Sequence, residues 1–259
     1  MSSLKNKTIL VTKSKADAEK SVRVLYDEEA QIIYFPTIKV VPVVDSPELI
    51  NALRVFDEFD YLIFTSSNAV VVFTKIAEQN ELDLSNIKIA AVGKSTAEKC
   101  ESFGIRINII PDEFSARGLI NKFSELDLGG KKIFVPCSKL SRDELCYRLT
   151  ELGAEVLSVP VYDLLQNDLN ELRSEYEQIH RTPPDVLVFT SPSSFDNFRK
   201  LAGVDDKYFE RSLICAIGST TEQAIRQYGY VVHIVPKIFS LQGAAEAIAK
   251  YFQLTANIA

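Results

Sequence analysis

The residues best suited to chemistry lie in four short hydroxyl-bearing turns. Thr65, Ser66, Ser67 and Asn68 follow Phe64; Thr190, Ser191, Pro192, Ser193 and Ser194 follow Phe189. The other two turns are Val92-Gly93-Lys94-Ser95-Thr96 and Ile217-Gly218-Ser219-Thr220-Thr221. In each, an apolar run gives way to an amphipathic stretch, so each reads as a strand-to-helix turn. A Ser or Thr there caps the helix, and the free N–H groups with the helix dipole make an anion site suited to carboxylates or phosphates. Capping by itself accounts for any one hydroxyl, because every helix start has N–H groups to satisfy. Four such turns at matching positions point to a ligand, and Gly93 and Gly218 let the backbone approach it closely. Neither glycine turn has the full G-x-x-x-x-G-K-[ST] or G-x-G-x-x-G spacing, which speaks against a nucleotide.

Other chemistries have little support. No Ser-His-Asp arrangement, H-E-x-x-H motif or clustered carboxylate pair stands out, so hydrolytic and metal chemistry are not indicated. Cys100, Cys137, Cys146 and Cys215 are scattered without a C-x-x-C pair and read as reduced thiols. His180 lies beside the Thr182-Pro183-Pro184 turn and His233 within the apolar run 231–235, one reading as a loop histidine and the other as a strand histidine. The expectation is no metal and no cofactor. Tyr162 is a titratable side chain placed to donate a proton or a hydrogen bond; packing as an amphipathic tyrosine at a domain junction is its structural alternative.

The elements that must position these residues are short Val/Ile/Phe-rich runs alternating with longer amphipathic stretches, the pattern of a parallel sheet with crossover helices. Ten runs are expected to be strands: 9–12, 31–35, 61–65, 87–92, 106–110, 132–135, 155–159, 185–190, 213–217 and 231–235. The second half repeats the first. Phe-Thr-Ser at 64–66 recurs at 189–191, an offset of 190 − 65 = 125; Ala91-Val-Gly matches Ala216-Ile-Gly and Ser115-Ala-Arg-Gly118 matches Ser240-Leu-Gln-Gly243. Upstream the offset becomes 124, with Ile9-Leu-Val-Thr12 matching Ile133-Phe-Val-Pro136. A repeat of this length is a domain duplication rather than a solenoid unit. The expected fold is α/β: two similar flavodoxin-like lobes, each a doubly wound parallel five-stranded sheet, joined by a two-stranded connector. In such sheets ligands bind outside the carboxyl ends of the strands, where the four turns lie. The proline-bearing segments 36–42 and 160–165 occupy equivalent places and read as extended connectors forming a hinge, with a mobile cleft as the consequence. Spacing leaves open whether each half folds contiguously or exchanges its first two strands.

With 259 residues, 46% hydrophobic and 25% charged, the chain can fill the cores of two ordinary domains. A net charge of −6 argues against nucleic acid and acidic membranes as partners, so an anionic ligand must be held by local geometry. The amino terminus has no apolar leader and no window approaches a membrane span, which gives a cytoplasmic expectation.

Together these blocks resemble the uroporphyrinogen-III synthase family over nearly the whole chain. The likeness rests on 9–13, 64–70, 91–97, Val161-Tyr162, 189–193, 216–221 and 240–248, in that order and spacing. The resemblance implies closure of hydroxymethylbilane, a linear tetrapyrrole, to uroporphyrinogen III with inversion of the last pyrrole ring and loss of water, in a cofactor-independent monomer. It also implies exchanged lobes, with 1–36 and 165–259 in one, 40–160 in the other, and connectors 37–39 and 161–164. Its tyrosine maps onto Tyr162 as general acid. Its substrate contacts map onto Thr65, Ser66, Ser67, Ser95 and Thr96, and onto Ser191, Ser193, Gly218, Thr220 and Thr221. Lys13 departs from the commoner arginine, and the segment from Pro136 to Arg142 replaces a more glycine-rich turn. A noncatalytic two-lobed module binding a carboxylate-rich small molecule is the competing expectation, since the same architecture suits clamshell closure.

Overall fold

The computed structural model describes residues 3–141 and 144–256. Nine strands occur among them: β1 (Thr8–Val11), β2 (Gln31–Tyr34), β3 (Ile38–Pro42), β4 (Tyr61–Phe64), β5 (Lys88–Ala91), β6 (Lys132–Ser138), β7 (Glu155–Gln166), β8 (Val186–Phe189) and β9 (Leu213–Ala216). The chain divides into two compact units. The first comprises Met1–Lys39 with Gln166–Ala259, and the second Val40–Leu165.

The sheet of the first unit has the order β2-β1-β8-β9, with its three pairings parallel. Its strand residues alternate between two apolar layers. Leu10, Leu187 and Phe189 pack with Phe195, Phe198 and Phe209 on one face, while Ile9, Val11 and Val188 pack with Leu25, Ala244 and Ile248 on the other. Helices thus cover both faces, and β8 is buried at all four positions because a parallel strand so covered has no wet side. Asp185 anchors the amino end, accepting from Lys7 Nζ and from the Thr8 N–H, each at 2.8 Å.

The sheet of the second unit has the order β3-β7-β6-β4-β5, and the β7-β6, β6-β4 and β4-β5 pairings are parallel. Leu62, Phe64 and Phe134 face a layer containing Phe56, Phe73 and Tyr162; Tyr61, Ile63 and Ile133 face Leu119, Phe123 and Leu149. Asp60 anchors this sheet as Asp185 anchors the other, accepting from Lys131 Nζ at 2.8 Å and the Lys132 N–H at 2.9 Å. The hydrogen bond from Lys131 holds the Asp60 carboxyl below the usual carboxylate range. The anchoring aspartates lie 185 − 60 = 125 positions apart, the offset of the repeat.

Three expectations about the strands need correction, and His180, expected in a loop, lies in the last turn of the helix Arg173–Arg181. The runs 106–110 and 231–235 do not form ladder strands; each makes a single bridge, Ala90 with Ile109 and Cys215 with Ile234. Two five-stranded sheets are therefore not what the described residues form: one sheet has four strands, and the fifth strand of the other is β3. The reason is a side chain standing in for a backbone carbonyl. Asn108 Oδ1 takes the Ile89 N–H at 2.8 Å, and His233 Nδ1 takes the Ile214 N–H at 3.0 Å, so the donor a ladder would use is already satisfied. Second, the run 155–159 and the segment 160–165 are one twelve-residue strand, β7, rather than a strand followed by a separate connector. Third, Pro136 to Ser138 continue β6 instead of opening a turn. Beyond Phe134, β6 pairs with β7 and no longer with β4, and a strand bonded on one side tolerates proline. Arg142 lies outside the described residues.

Candidate functional site

Each unit carries two helix starts at the carboxyl ends of neighbouring strands. In the second unit β4 pairs with β5 so that Phe64 faces Ala91, and the Val92 N–H donates to Phe64 O at 3.0 Å. In the first, Phe189 faces Ala216 and the Ile217 N–H donates to Phe189 O, also at 3.0 Å. The strand ends are held in place by aromatic packing beneath the turns: Phe64 against Phe73, and Phe189 edge-on against Phe195 with centroids 5.1 Å apart.

The serine starts satisfy themselves. Ser66 caps the helix Ser67–Gln79, its Oγ accepting from the Ala69 N–H at 3.1 Å. Ser191 caps Pro192–Ala202 in a reciprocal box: its Oγ accepts from the Ser194 N–H at 3.0 Å, while Ser194 Oγ accepts from the Ser191 N–H at 3.1 Å. Pro192 sits in the first turn, where its missing N–H costs nothing. Ser193 is exposed and its Oγ lies 3.0 Å from that of Ser191.

The glycine starts differ. Gly93 caps Lys94–Ser102 and Gly218 caps Ser219–Gln227, both without a side-chain hydrogen bond to the free N–H groups. These donors, at the positive end of a nine-residue helix, remain open to an anion. Ser95 and Thr220 are exposed beside them, whereas Thr96 and Thr221 are buried, so at those two positions the backbone N–H is the group offered.

In the second unit the structure brings the sequence-derived residues together. Ser67 Oγ donates to Ser95 O at 3.1 Å, tying one helix start to the other. Tyr162, on β7, is only 5% exposed, and its hydroxyl lies 2.9 Å from Ser66 Oγ. Thr65 is half-buried between β4 and this helix. In the first unit no hydrogen bond joins the Ser191 turn to the Gly218 turn among the described residues. Sequence reasoning missed Phe239 there. A Cβ added at Gly218 would meet the Phe239 ring at 3.1 Å, and the ring is 64% exposed, so it forms an apolar wall beside the open helix start. The repeat offset would have flagged it, since Phe114 occupies the matching place and is exposed as well.

Lys13 is exposed after β1, and Lys139 is bound to the strand bearing Tyr162, its N–H donating to Tyr162 O at 3.0 Å. No group of three His, Cys, Asp or Glu placed to hold a metal occurs among the described residues, and none of their helices is long and apolar enough to cross a membrane. Two concavities of about 460 and 500 Å³ on the first unit are lined by residues such as Asp206, Tyr230 and His233, and Lys237, Glu246 and Lys250, apart from the hydroxyl turns.

A family model described as uroporphyrinogen-III synthase HemD matches residues 19–246. The chain belongs to the uroporphyrinogen-III synthase family. It is 30% identical over 250 residues to the uroporphyrinogen-III synthase of Chlorobaculum parvum, covering 94% of this chain and 98% of that protein. The synthase of Synechococcus elongatus is 27% identical over 262 residues, covering 96% and 97% respectively. Among solved structures, uroporphyrinogen-III synthetase from Helicobacter pylori aligns with a TM-score of 0.64 at 18% identity, over 95% of this chain and 99% of that one. That likeness concerns the fold: mixed α/β with parallel sheets.

Proposed function

We propose that this chain closes hydroxymethylbilane to uroporphyrinogen III, inverting the terminal pyrrole ring and releasing water, as a hydro-lyase that needs no cofactor. The observation that carries the residue roles lies in the second unit, where the open Gly93-capped helix start is tied through Ser67 to the helix whose Ser66 start holds the Tyr162 hydroxyl; the first unit by itself repeats the open start at Gly218. A substrate with many acetate and propionate groups needs several anion contacts, and backbone N–H groups supply them without a basic patch in a chain of net charge −6. Gly218, Thr220 and Thr221 with Ser191 and Ser193, and Ser95, Thr96, Thr65 and Ser67, are the binding groups of this reading. Tyr162 is the general acid that protonates the leaving hydroxyl. The units are one duplicated flavodoxin-like fold, with 1–36 and 165–259 forming one lobe, 40–160 the other, and 37–39 and 161–164 the connectors. The strand orders β2-β1-β8-β9 and β7-β6-β4-β5 support that reading, as do matching aspartate anchors and matching helix starts. The chain works as a cytoplasmic monomer.

The test is to supply hydroxymethylbilane without added metal or nucleotide, oxidise the products and separate type I from type III porphyrin. Enrichment of type III over the protein-free control is expected; type I alone from folded protein would leave a noncatalytic binding module. Tyr162→Phe removes the proton donor and keeps the ring in its core layer, so kcat should fall at least about tenfold with KM and Tm little changed. An unchanged kcat would take the phenol out of the mechanism.

A further inference from the structure

We propose that Ser66 is a positioning residue for Tyr162, with its hydroxyl donating to the phenol oxygen so that the phenol proton is turned toward the substrate. The inference rests on the function proposed above and deepens it. Ser66 Oγ receives the Ala69 N–H at 3.1 Å, and it lies 2.9 Å from Tyr162 Oη. One lone pair is thus engaged by the helix, and the serine has its own proton to give. With Ser66 as donor, the phenol oxygen is an acceptor in this bond and its O–H is free to point elsewhere. With Ser66 as acceptor, the phenol proton would be spent on the serine and unavailable for transfer.

The arrangement also suits the step. The substrate C–O bond breaks with its electron pair on oxygen, the oxygen takes the Tyr162 proton, and water departs. The carbon is left as a cation delocalised into its pyrrole nitrogen, and the tyrosine as phenolate. The cation is attacked by the already substituted α-carbon of the terminal pyrrole, the bond from that carbon to its original methylene breaks and re-forms at the ring's other α-carbon, and the proton expelled there as the pyrrole regains aromaticity returns to the phenolate, so the ring is inverted, one water is lost and the enzyme is restored. The phenolate is the species the site must stabilise. Ser66 Oγ–H donates to it, and because Ser66 is the cap of the thirteen-residue helix Ser67–Gln79, the phenolate forms within hydrogen-bond distance of that helix's first residue outside the positive end. Tyr162 is held rigidly enough for this by its core layer, where it packs with Phe64, Phe134 and Val161.

Capping and positioning make different demands on the side chain, so substitutions separate them. Ser66→Asp keeps an excellent cap and favours the helix dipole, yet sets a carboxylate against the phenol and opposes phenolate formation. Ser66→Gly keeps most of the cap and removes the hydroxyl, and Ser66→Thr keeps both. The measurement is kcat and KM for type III formation together with Tm. We expect Ser66→Thr within about threefold of the parent, Ser66→Gly down about 10- to 100-fold in kcat, and Ser66→Asp down at least as far while melting no lower than the parent, all with KM nearly constant. In the Tyr162→Phe background Ser66→Gly should cause no further loss, because the serine acts through the phenol. A Ser66→Asp protein as active as the parent, or a Ser66→Gly effect of full size in the Tyr162→Phe background, overturns the positioning role while type III product from the parent leaves the function standing. Failure of the parent to form type III product overturns both.

Discussion

Gly243→Ala sets two opposing effects against each other, and the structure gives their sizes. Gly243 is the third residue of the helix Leu241–Ala256, where alanine would ordinarily gain about 1 kcal/mol of helix propensity. A Cβ there would stand 2.2 Å from the carbonyl oxygen of Ile238, against an ordinary contact that begins at 3.4 Å. That oxygen must therefore move by roughly 1 Å, and it is pinned by the Ser240 N–H at 2.8 Å. The same displacement pulls Ser240 Oγ away from the Gly243 N–H, which it accepts at 3.0 Å. A lost turn hydrogen bond, a weakened cap and overpacking each cost about 1 kcal/mol or more. The clash should win by about 2 kcal/mol, lowering Tm by about 4–8 °C in scanning calorimetry. Gly118→Ala should behave alike in the second unit, where the Cβ would meet Glu113 O at 2.2 Å. Because Phe239 belongs to the turn that moves, Gly243→Ala should also raise KM, as the ring leaves Gly218. An unchanged or higher Tm would show that the carbonyl yields freely and that propensity decides, refuting the reasoning.

Two further outcomes follow from the anchors and bridges. Burial lowers the His233 pKa, and protonation would remove the lone pair that accepts the Ile214 N–H. The folded value lies below the unfolded one, so this contribution is complete above about pH 6.5 and is lost as pH falls toward the folded value. Asp206 and Glu210 line the concavity on one side of the ring, and Lys237, Glu246 and Lys250 that on the other. His233→Asn, copying the bond Asn108 makes in the other unit, should match the parent at pH 7.5 in urea unfolding and fall less between pH 7 and 5.5; an identical decline would clear His233 of any part in it. Asp60→Asn should cost on the order of 1 kcal/mol at neutral pH, given the solvent screening of its Lys131 partner. The Asp60 pKa is depressed in the folded state, so its contribution is full above about pH 4 and is lost as pH falls from there through the folded value, and the gap between variant and parent should narrow steadily over that descent. A gap that does not narrow as the pH falls would assign the loss to something other than the ionised carboxylate.

The sequence by itself determined the features that depend on neighbours in the chain. Phe64-Thr-Ser and Phe189-Thr-Ser, or Gly93 and Gly218, reveal strand ends and helix starts because apolar alternation and capping chemistry act over a few residues. The offset of 125 was legible for the same reason, being a comparison of local patterns. What only the tertiary structure decided depends on partners far apart. Ser66 and Tyr162 are both visible in the sequence, but their 2.9 Å contact requires β7 and the start of the helix after β4 to meet across 96 residues. Ser67 reaches Ser95 O only because β4 and β5 pair in one register. The runs 106–110 and 231–235 have strand composition, yet Asn108 and His233 spend side-chain acceptors on the neighbouring strand and reduce each ladder to a bridge. Whether a donor is met by backbone or side chain is settled when two distant segments come into register, and no local pattern records it.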